Sequence, residues 1–591
     1  MVNSTVNQAS DWYVGTLVGE STSAEFRLAV AHEAIREQDI VAVDAELGRP
    51  SEDGAAASET EKFTIWAKVQ RIERLNPLFP REAGHELAAT RTNPFDTVLS
   101  LSREMVTAVC KVLGVEPQGG ASKGKLEQLR YPAKPATSAY RPDSADIKRI
   151  VLGELDENGR RALDLATLSN RNEVDVHVDG HAIVTRHLAI LAMTGAGKSW
   201  TARRIIEQLA EKNYPIVIFD PHGDYTGLSD VLGLSGKVRR YYAQFPVLEE
   251  ETETVARIID TLGYPLTDTM NTRFDDVFSA ARSFFNVDDS DEMNERTRWL
   301  SDSIGNPDIR QYGINPDMWL IANITEAGES AIANDDSDAK RQLAEWGWRE
   351  INRYSGRDIG TLRGIKMRAR QAASVLRRME TINRNVAQHA EPLPTDRVEL
   401  VDYGKVSVVS LAGYTADFQA TIYSIIADSI FDKRVSGELK LPVLLLLEEA
   451  HYFAPARTNT PAEQRAVNTT RQIAQEGRKF GVGMILVSQR PSRLDETALS
   501  QCNSQIIMRM VNPADQRFVR NVIETLGEDE ARMLPDMDLG EAILSGQFTN
   551  FPVLVRMKKP ESQGEREEED AFEALEKARI ETQEGGGRGT R

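Results

Sequence analysis

The chain has 591 residues, more than one hydrophobic core usually holds, so its length predicts two to four domains. Its formal net charge is -19, whereas a protein that coats nucleic acid usually carries a basic face. The charge does not exclude a ring that holds nucleic acid in a locally basic channel. The chain lacks apolar runs long enough to span a membrane, and it lacks a secretion signal. Its two cysteines, Cys110 and Cys502, are too few for a disulfide framework or a cysteine zinc cluster. These features predict a cytoplasmic protein with no membrane partner.

The N-terminal 115 residues alternate short β-type runs with turns, at 13–18, 25–30, 40–43 and 63–69. Strands at this spacing predict a small barrel. The stretch 51–61, rich in Ala, Ser and acidic residues, is expected to be a solvated hairpin excursion. Residues 126–146 contain the segments YPAKP and YRPDS, and their proline content predicts an irregular strap between domains.

The segment at residues 187–200, HLAILAMTGAGKSW, predicts a buried strand, a glycine-containing loop and the start of a helix. The loop fits the phosphate-binding pattern, with Ala192 at the position where the first glycine usually stands. Gly195 and Gly197 allow the backbone to curl so that successive N–H groups converge on phosphate oxygens. The segment therefore predicts a nucleotide-binding site.

Two polar side chains of this loop have chemical roles in that prediction. Lys198 supplies a positive charge for the β- and γ-phosphates, and the Ser199 hydroxyl is a ligand for Mg²⁺. The residues predicted to contact the nucleotide here are Thr194, Gly195, Ala196, Gly197, Lys198, Ser199 and Trp200.

Further buried strands are predicted at 216–220, 405–411, 442–447, 482–487 and 505–510, with helices between them. This alternation predicts an α/β fold with a parallel, doubly wound sheet, whose ligands lie at the carboxyl ends of the strands. Residues 241 to about 400 are helical and acidic in pattern and predict an insertion in that fold. After 560 a charged helix and a disordered tail are expected.

The longest predicted helix of the insertion is rich in arginine. Contact with DNA and a solvated helix face are the two alternatives for these side chains, and the solvated face is favoured. The arginines are Arg363, Arg368, Arg370, Arg377 and Arg378.

The predicted strand 443–447 runs directly into Glu448 and Glu449. Beside a phosphate loop, the first carboxylate holds the Mg²⁺ shell, and the second orients and polarises the attacking water. His451 has two alternative roles, either to sense the nucleotide state or to hydrogen-bond the next loop.

Two more polar residues complete the predicted site. Gln489 follows the next strand, where an amide can bridge the γ-phosphate and a mobile element. Arg478 lies near a helix end, from which a guanidinium can stabilise transition-state charge on a neighbouring subunit's nucleotide. Arg471 and Lys479 are the rival candidates for this arginine-finger role.

The segments RHLAILAMTGAGKS, FDPHGDY, LLLLEEAH and EGRKFGVGMILVSQRPS, after a β-rich start, resemble the HerA family of hexameric DNA translocases, within the FtsK–HerA group of P-loop ATPases. The resemblance covers nearly the whole chain. It implies a HAS-barrel-like N-terminal β-barrel with its strap at 10–150 and a RecA-like ATPase domain at 151–560. The helical insertion then spans about 241–400, and a charged helix and tail occupy 561–591.

The resemblance also implies residue roles. Glu449 corresponds to the catalytic acid, Arg478 to the arginine finger that acts in trans, and Gln489 to the sensor. The remaining residues that it assigns to family motifs at or near the nucleotide and its Mg²⁺ are Arg186, Lys198, Ser199, Asp220 and Glu448. Ala192 and Glu448 depart from the family pattern, since glycine and aspartate are commoner at these positions.

By the same resemblance, the function is an ATP- and Mg²⁺-dependent translocase or helicase on double-stranded DNA. The motor is expected to be a homohexamer that acts with a NurA-type nuclease, docked on the barrel, in DNA end resection. The alternatives are a defence-system motor coupled to another effector and a slow ATP-gated assembly scaffold. A metabolic P-loop kinase is disfavoured because the chain shows no second substrate motif and is too large.

Overall fold

The computed structural model describes residues 12–30, 35–49, 59–75, 105–118 and 124–562, apart from 154, 157, 232, 263–264, 288, 310–316 and 387–389, with a few isolated positions besides. The chain divides into two compact units. The first comprises Met1–Ile183, Leu188–Gln208 and Asn503–Lys559. The second comprises Val184–His187, Leu209–Cys502 and Pro560–Arg591.

The first unit begins with a closed antiparallel barrel, which confirms the predicted small barrel. Its strand order is β1-β2-β5-β4-β3-β6. Inward-facing residues of the strands, such as Val14, Leu28, Val43 and Ile65, form a separate buried core. The strands are β1 (Tyr13–Val18), β2 (Glu25–Val30), β3 (Ile40–Arg49), β4 (Glu59–Leu75), β5 (Met105–Pro117) and β6 (Ser138–Tyr140).

The prediction of an irregular strap over 126–146 is wrong in part. Strand β6 pairs with both β1 and β3 and thereby closes the barrel. The first helix, α1 (Ser144–Leu152), begins in the same stretch, where the Asp143 side chain accepts a hydrogen bond from the Asp146 N–H at 2.7 Å. Proline therefore borders these elements without preventing them. Most of the predicted hairpin excursion, 51–58, lies outside the described residues, and 59–61 belong to β4.

Twelve further strands follow in the described part of the chain. They are β7 (Ala162–Leu168), β8 (Arg171–Asp179), β9 (Leu188–Leu191), β10 (Ile216–Asp220), β11 (Val238–Tyr242), β12 (Glu391–Pro392), β13 (Val406–Ser410), β14 (Val443–Leu447), β15 (Val482–Ser488), β16 (Ser504–Met508), β17 (Glu541–Gly546) and β18 (Val553–Met557).

These strands form a different pattern in each unit. In the second unit the order is β12-β11-β13-β10-β14-β15, and the neighbouring strands are parallel throughout. In the first unit the order is β9-β16-β17-β18-β7-β8, in which β9 and β16 are parallel and the remaining pairs are antiparallel. The predicted α/β fold with a parallel sheet is confirmed, with an antiparallel extension that the sequence patterns did not indicate.

The helices after α1 separate these strands, and those from α4 to α9 lie between β11 and β12, which confirms the predicted helical insertion. In the described part of the chain, every helix is too short or too polar to cross a membrane. The helices are α2 (Gly180–Arg186), α3 (Lys198–Glu211), α4 (Thr252–Leu262), α5 (Asp268–Phe285), α6 (Ser290–Ile304), α7 (Met318–Ala333), α8 (Ser337–Glu345), α9 (Ile359–Val386), α10 (Ala416–Ser436), α11 (Pro461–Phe480), α12 (Glu496–Ser500), α13 (Pro513–Val522) and α14 (Glu528–Met533).

The arginine-rich helix of the insertion is α9, with 28 residues. Arg363 donates to Glu329 of α7 at 2.8 Å, and Arg370 pairs with Glu326 of the same helix. These two arginines link α9 to α7 through ion pairs. Neither predicted alternative, contact with DNA or a solvated helix face, included such ion pairs. Arg377 and Arg378 are exposed, in agreement with the solvated face.

Candidate functional site

The phosphate loop follows strand β9, whose four residues are all buried. Strand β9 runs parallel to β16, with Leu188 opposite Ser504 and Leu191 opposite Ile507. Beyond the strand, the Met193 N–H donates to the Arg509 carbonyl at 2.9 Å. The loop thus leaves the carboxyl end of a buried parallel strand, where α/β folds place their ligands.

Two glycines give the loop its curvature. Gly195 has a φ of +79° and Gly197 a φ of +104°, which side-chain-bearing residues rarely adopt. A Cβ atom on Gly195 would meet no atom within 4 Å, so this position needs glycine for its backbone conformation and not for space. At Gly197 a Cβ would also lie 3.2 Å from the Met508 side chain.

Ala192 replaces the first glycine of the usual pattern without strain. The residue is fully buried at the end of β9, and it is not one of the residues with positive φ. A small side chain with ordinary backbone angles therefore fits this position. The departure noted in the sequence has no consequence for the loop conformation.

The loop ends where helix α3 begins at Lys198. Lys198 is buried, Ala196 is buried, and Thr194 is exposed, so the predicted contacts differ in their access to solvent. The helix N-terminus adds a favourable potential for anions to the N–H groups of the loop. Ser199 and Trp200 lie in the first turn, and Trp200 is half exposed.

The acidic part of the predicted site lies in the second unit, at the carboxyl ends of β10 and β14. These strands are parallel, with Phe219 opposite Leu447, so Asp220 and Glu448 follow at the same edge of the sheet. The Glu448 N–H donates to the Phe219 carbonyl at 3.2 Å. Both acids are fully buried. The structure therefore brings together two carboxylates that are far apart in the sequence.

Asp220 shapes the turn that follows β10. Its carboxylate accepts hydrogen bonds from the N–H groups of Gly223 at 2.8 Å, Asp224 at 3.1 Å and Tyr225 at 3.2 Å. Burial raises the pKa of Asp220 to about 6, against the lowering effect of the Gly223 and Tyr225 N–H groups. The residue was predicted to contact the nucleotide, and its described partners are backbone groups of the turn.

Tyr225 is a residue of this cluster to which the sequence analysis gave no role. Its buried hydroxyl donates to Glu448 Oε2. Burial and the negative charge of Glu448 raise the pKa of Tyr225 well above its usual value, so the phenol remains a donor. The signal in the sequence is the segment FDPHGDY, in which Tyr225 stands five residues after Asp220, but its partner Glu448 lies more than two hundred residues further along the chain.

Glu449 adopts a left-handed backbone conformation with a φ of +49°. A residue with a side chain pays a conformational cost there, and such residues cluster at functional sites. The His451 Nδ1 atom lies 3.2 Å from Glu449 Oε2. This is a close approach and not a hydrogen bond, and it involves Glu449 and not the next loop, so both roles left open for His451 stay predictions.

The remaining predicted residues of the second unit differ in their surroundings. Arg471 donates to Asp495 at 2.6 and 3.0 Å, and this hydrogen bonding raises the pKa of Arg471. Arg478 and Lys479 are exposed in the last turn of α11. A guanidinium already held by a carboxylate of its own chain is a poorer candidate for contact with another subunit than an exposed one.

Two predicted residues lie at the ends of other elements of this unit. Gln489 is half-buried directly after β15, which pairs with β14 in parallel. Arg186 is the last residue of α2 and is also half-buried.

The loop fits a nucleotide phosphate by its own geometry, because the positive φ angles of Gly195 and Gly197 curl the backbone and the N-terminus of α3 follows. In the part of the chain that the structure describes, no group of three His, Cys, Asp or Glu side chains is placed to hold a metal ion alone. A hydroxyl such as that of Ser199 suits Mg²⁺, which usually keeps several waters and relies on the substrate phosphates for further ligands.

Comparison with known proteins gives a consistent result. Residues 163–430 match the family model described as the central domain of the helicase HerA. A probable helicase of Methanocaldococcus jannaschii is 27% identical over 558 residues, covering 92% of this chain and 95% of that protein. The DNA double-strand break repair helicase HerA of Pyrococcus furiosus is 27% identical, covering 77% of this chain and 78% of that protein.

Among solved structures, the plasmid coupling protein TrwB in complex with ADP and Mg²⁺ is 13% identical, with 72% of this chain and 94% of that chain covered at a TM-score of 0.40. The motif order, the strand-to-loop geometry and the family match agree. Residues 163–430 thus match the central domain of the HerA helicases, and the chain is similar to HerA helicases over most of its length.

Proposed function

We propose that this protein is an ATP-driven translocase or helicase that acts on double-stranded DNA as a homohexamer. The observation that carries the proposal is the phosphate loop, in which two left-handed glycines precede Lys198 at the end of a buried parallel strand. Relatives named as DNA double-strand break repair helicases support the choice of DNA as the substrate.

In this proposal, residues of the loop bind the nucleotide. The N–H groups around Gly195 and Gly197 and the Lys198 ammonium hold the phosphates. Ser199 and Glu448 would hold Mg²⁺, which would supply positive charge to the phosphates of the nucleotide. Glu448 has a longer side chain than the commoner aspartate, and the hydroxyl of Tyr225 fixes one of its oxygens.

Hydrolysis requires a group that polarises the attacking water, and we assign this role to Glu449. Its carboxylate is buried, its backbone is left-handed, and the His451 ring lies 3.2 Å from it. Asp220 holds the turn that carries Tyr225. Gln489, at the end of the next strand, is proposed to sense the γ-phosphate.

The proposed hexamer is supported by the exposed position of Arg478. A guanidinium at the end of a rigid helix suits stabilisation of transition-state charge on a neighbouring subunit's ATP. Arg471 is held by Asp495, and we therefore place this role on Arg478 in preference to Arg471. Lys479 is the remaining rival.

For the partner, we propose a NurA-type nuclease that docks on the N-terminal barrel, with end resection in DNA repair as the shared process. The barrel has its own core and six strands, so it can present a surface without involving the nucleotide site.

The decisive experiment measures ATP turnover with and without duplex DNA on protein sized by light scattering. We expect a hexamer whose turnover rises with duplex DNA and falls to background in the Lys198→Ala variant. A monomer, or turnover that ignores DNA, contradicts the motor and favours the slow scaffold.

A mixing experiment tests the trans arginine. Arg478→Ala subunits and Glu449→Gln subunits are each expected to be inactive alone. In a mixed ring, an Arg478→Ala subunit still has Glu449 and its Glu449→Gln neighbour still has Arg478, so one complete site is rebuilt at their interface. Their mixture should therefore recover part of the ATPase activity. The matched control mixes Lys198→Ala with Glu449→Gln, both defective in the same subunit's site, and should stay inactive. Equal inactivity of both mixtures, with subunit exchange confirmed by mass spectrometry, rejects Arg478 and favours Lys479.

A further inference from the structure

Trp200 is an exposed aromatic side chain in the first turn of the helix that follows the phosphate loop. It comes directly after Ser199, and half of its surface, 50%, is open to solvent. A single exposed apolar side chain is ordinary on a protein surface, but a flat indole face beside a phosphate-binding loop is suited to stack on an aromatic ligand. Trp200 therefore offers an aromatic face next to the phosphate loop.

A cation lies close to the ring. The Lys559 ammonium is 5.7 Å from the centre of the Trp200 ring, within the range of a cation–π interaction. Such a contact favours the observed orientation of the indole, and a ring that is already oriented loses less entropy when a flat ligand stacks on it.

The segments around Lys559 are joined to the loop by backbone hydrogen bonds. The Gly540 N–H donates to the Ala196 carbonyl at 3.3 Å, and the Met557 N–H donates to the Gly540 carbonyl at 2.8 Å. Leu539, next to Gly540, is a second exposed apolar side chain. The apolar groups and the phosphate loop thus belong to one connected part of the first unit.

We propose that Trp200 is the platform on which the nucleobase of the bound nucleotide stacks, with Lys559 fixing the ring and Leu539 as a second apolar contact. This inference rests on the proposed ATP-binding function and adds a base subsite to it. Every base has a π-face, and a purine offers a larger one than a pyrimidine, so the platform selects purine nucleotides over pyrimidine nucleotides.

The test compares a ligand that has a base with one that lacks it. Binding of ADP, CDP and inorganic pyrophosphate, each with Mg²⁺, is measured by calorimetry on the full-length protein and its variants. We expect Trp200→Ala to weaken ADP binding about tenfold, the scale of a lost base–aromatic stack, while pyrophosphate binding stays unchanged. Trp200→Phe keeps most of the ADP affinity, and Lys559→Ala loses only about threefold.

Trp12 of the barrel provides the matched control, because it is exposed to almost the same extent, 49%. Trp12→Ala should bind ADP and pyrophosphate as the unmodified protein does. A spectroscopic signature completes the test: ADP should quench tryptophan fluorescence in the unmodified protein, whereas Trp200→Phe should bind ADP without that part of the quenching.

The outcomes separate this inference from the proposed function. If the unmodified protein binds ADP and CDP equally, or if Trp200→Ala weakens ADP and pyrophosphate by the same factor, the platform is rejected and nucleotide binding stands. If Trp200→Ala changes the oligomeric mass and leaves ADP affinity intact, Trp200 belongs to a subunit interface and the inference is overturned. If the unmodified protein binds neither ADP nor pyrophosphate, the proposed function fails as well.

Discussion

The phosphate loop and the acidic strand ends are built by opposite means. In the loop, the geometry comes from the backbone, because Gly195 and Gly197 supply positive φ angles and a helix N-terminus follows. In the acidic cluster, the geometry comes from buried side chains, because Asp220 and Glu448 are fully enclosed and are held by hydrogen bonds.

This difference predicts different sensitivities to mutation. A loop that acts through its N–H groups tolerates a change of side chain wherever the dihedral angles allow it, as Ala192 illustrates. A buried carboxylate depends on each donor that faces it, since losing a donor to a buried charge costs more than losing one at the surface. The following predictions test this contrast.

The largest effects are expected when the central charge of each region is removed. Lys198→Ala should lose ATP turnover and also bind ATP more weakly, because the loop loses its side-chain charge on the γ-phosphate. Glu449→Gln should bind ATP normally but lose turnover by about a thousandfold, since an amide preserves the shape of the side chain and cannot accept the proton of water. Steady-state ATPase rates together with nucleotide titrations separate the two defects.

The adjacent acid serves as the control for this pair. Glu448→Gln should weaken the Mg²⁺ dependence of binding, whereas Glu449→Gln leaves it intact. If Glu448→Gln instead gives normal Mg²⁺-dependent binding without turnover, and Glu449→Gln stays active, the roles of the two acids have been assigned the wrong way round.

Removal of a single donor from the acidic cluster should have the next largest effect. Tyr225→Phe deletes the hydroxyl that donates to Glu448 and should lower the free energy of unfolding by about 1.5–3 kcal/mol, the range for a hydrogen bond to a charged group.

Tyr423→Phe is the matched control, because Tyr423 is also buried and its hydroxyl pairs with the neutral Thr470 hydroxyl at 2.9 Å. Its loss should be only about 1 kcal/mol in urea unfolding. Equal losses for the two tyrosines would contradict a special dependence of the acidic cluster on its donors.

The raised pKa of Asp220 predicts a pH dependence of stability. Because the folded protein holds the Asp220 proton up to about pH 6 and the unfolded chain releases it near pH 4, the folded state binds more protons between these values. The contribution of Asp220 to stability is therefore largest at low pH and is lost as the pH rises through about 6.

Asp220→Asn tests this dependence while keeping an oxygen that accepts the N–H groups of the turn. From pH 5 to pH 7, the unfolding free energy of the variant should rise by about 1 kcal/mol relative to that of the unmodified protein. A difference that stays constant over this range would show that the Asp220 pKa is not raised.

The sequence predicts these two regions to different degrees. The phosphate loop and the apolar run of β14 are both patterns within short segments of the sequence. The fold type and the residues at the strand ends can therefore be predicted from such segments. The hydrogen bond between Tyr225 and Glu448 joins residues 223 positions apart, and periodicity carries no information on such a pairing. Strand β6 has three residues, too few for a pattern, and only its pairing with β1 and β3 defines it.

The arginines of α9 illustrate a further limit. Their spacing indicates a charged helix face, but the acids that they contact lie on α7, so sequence alone does not distinguish a solvated face from an ion-paired one. In the same way, the exposure of Arg478 and the pairing of Arg471 with Asp495 become visible only in the folded chain.

The smallest expected effect lies in the backbone of the loop and is measured by exchanging glycine and alanine in both directions. Gly195→Ala places a Cβ in open space but forces alanine into a left-handed conformation, which costs about 1 kcal/mol. The variant should therefore bind ADP about fivefold more weakly. Ala192→Gly, at a buried position with ordinary backbone angles, should change ADP affinity by less than twofold. Calorimetric titration of both variants measures the contrast. If Ala192→Gly weakens binding as much as Gly195→Ala does, side-chain packing and not backbone conformation governs the loop, and the two regions do not differ in the way described above.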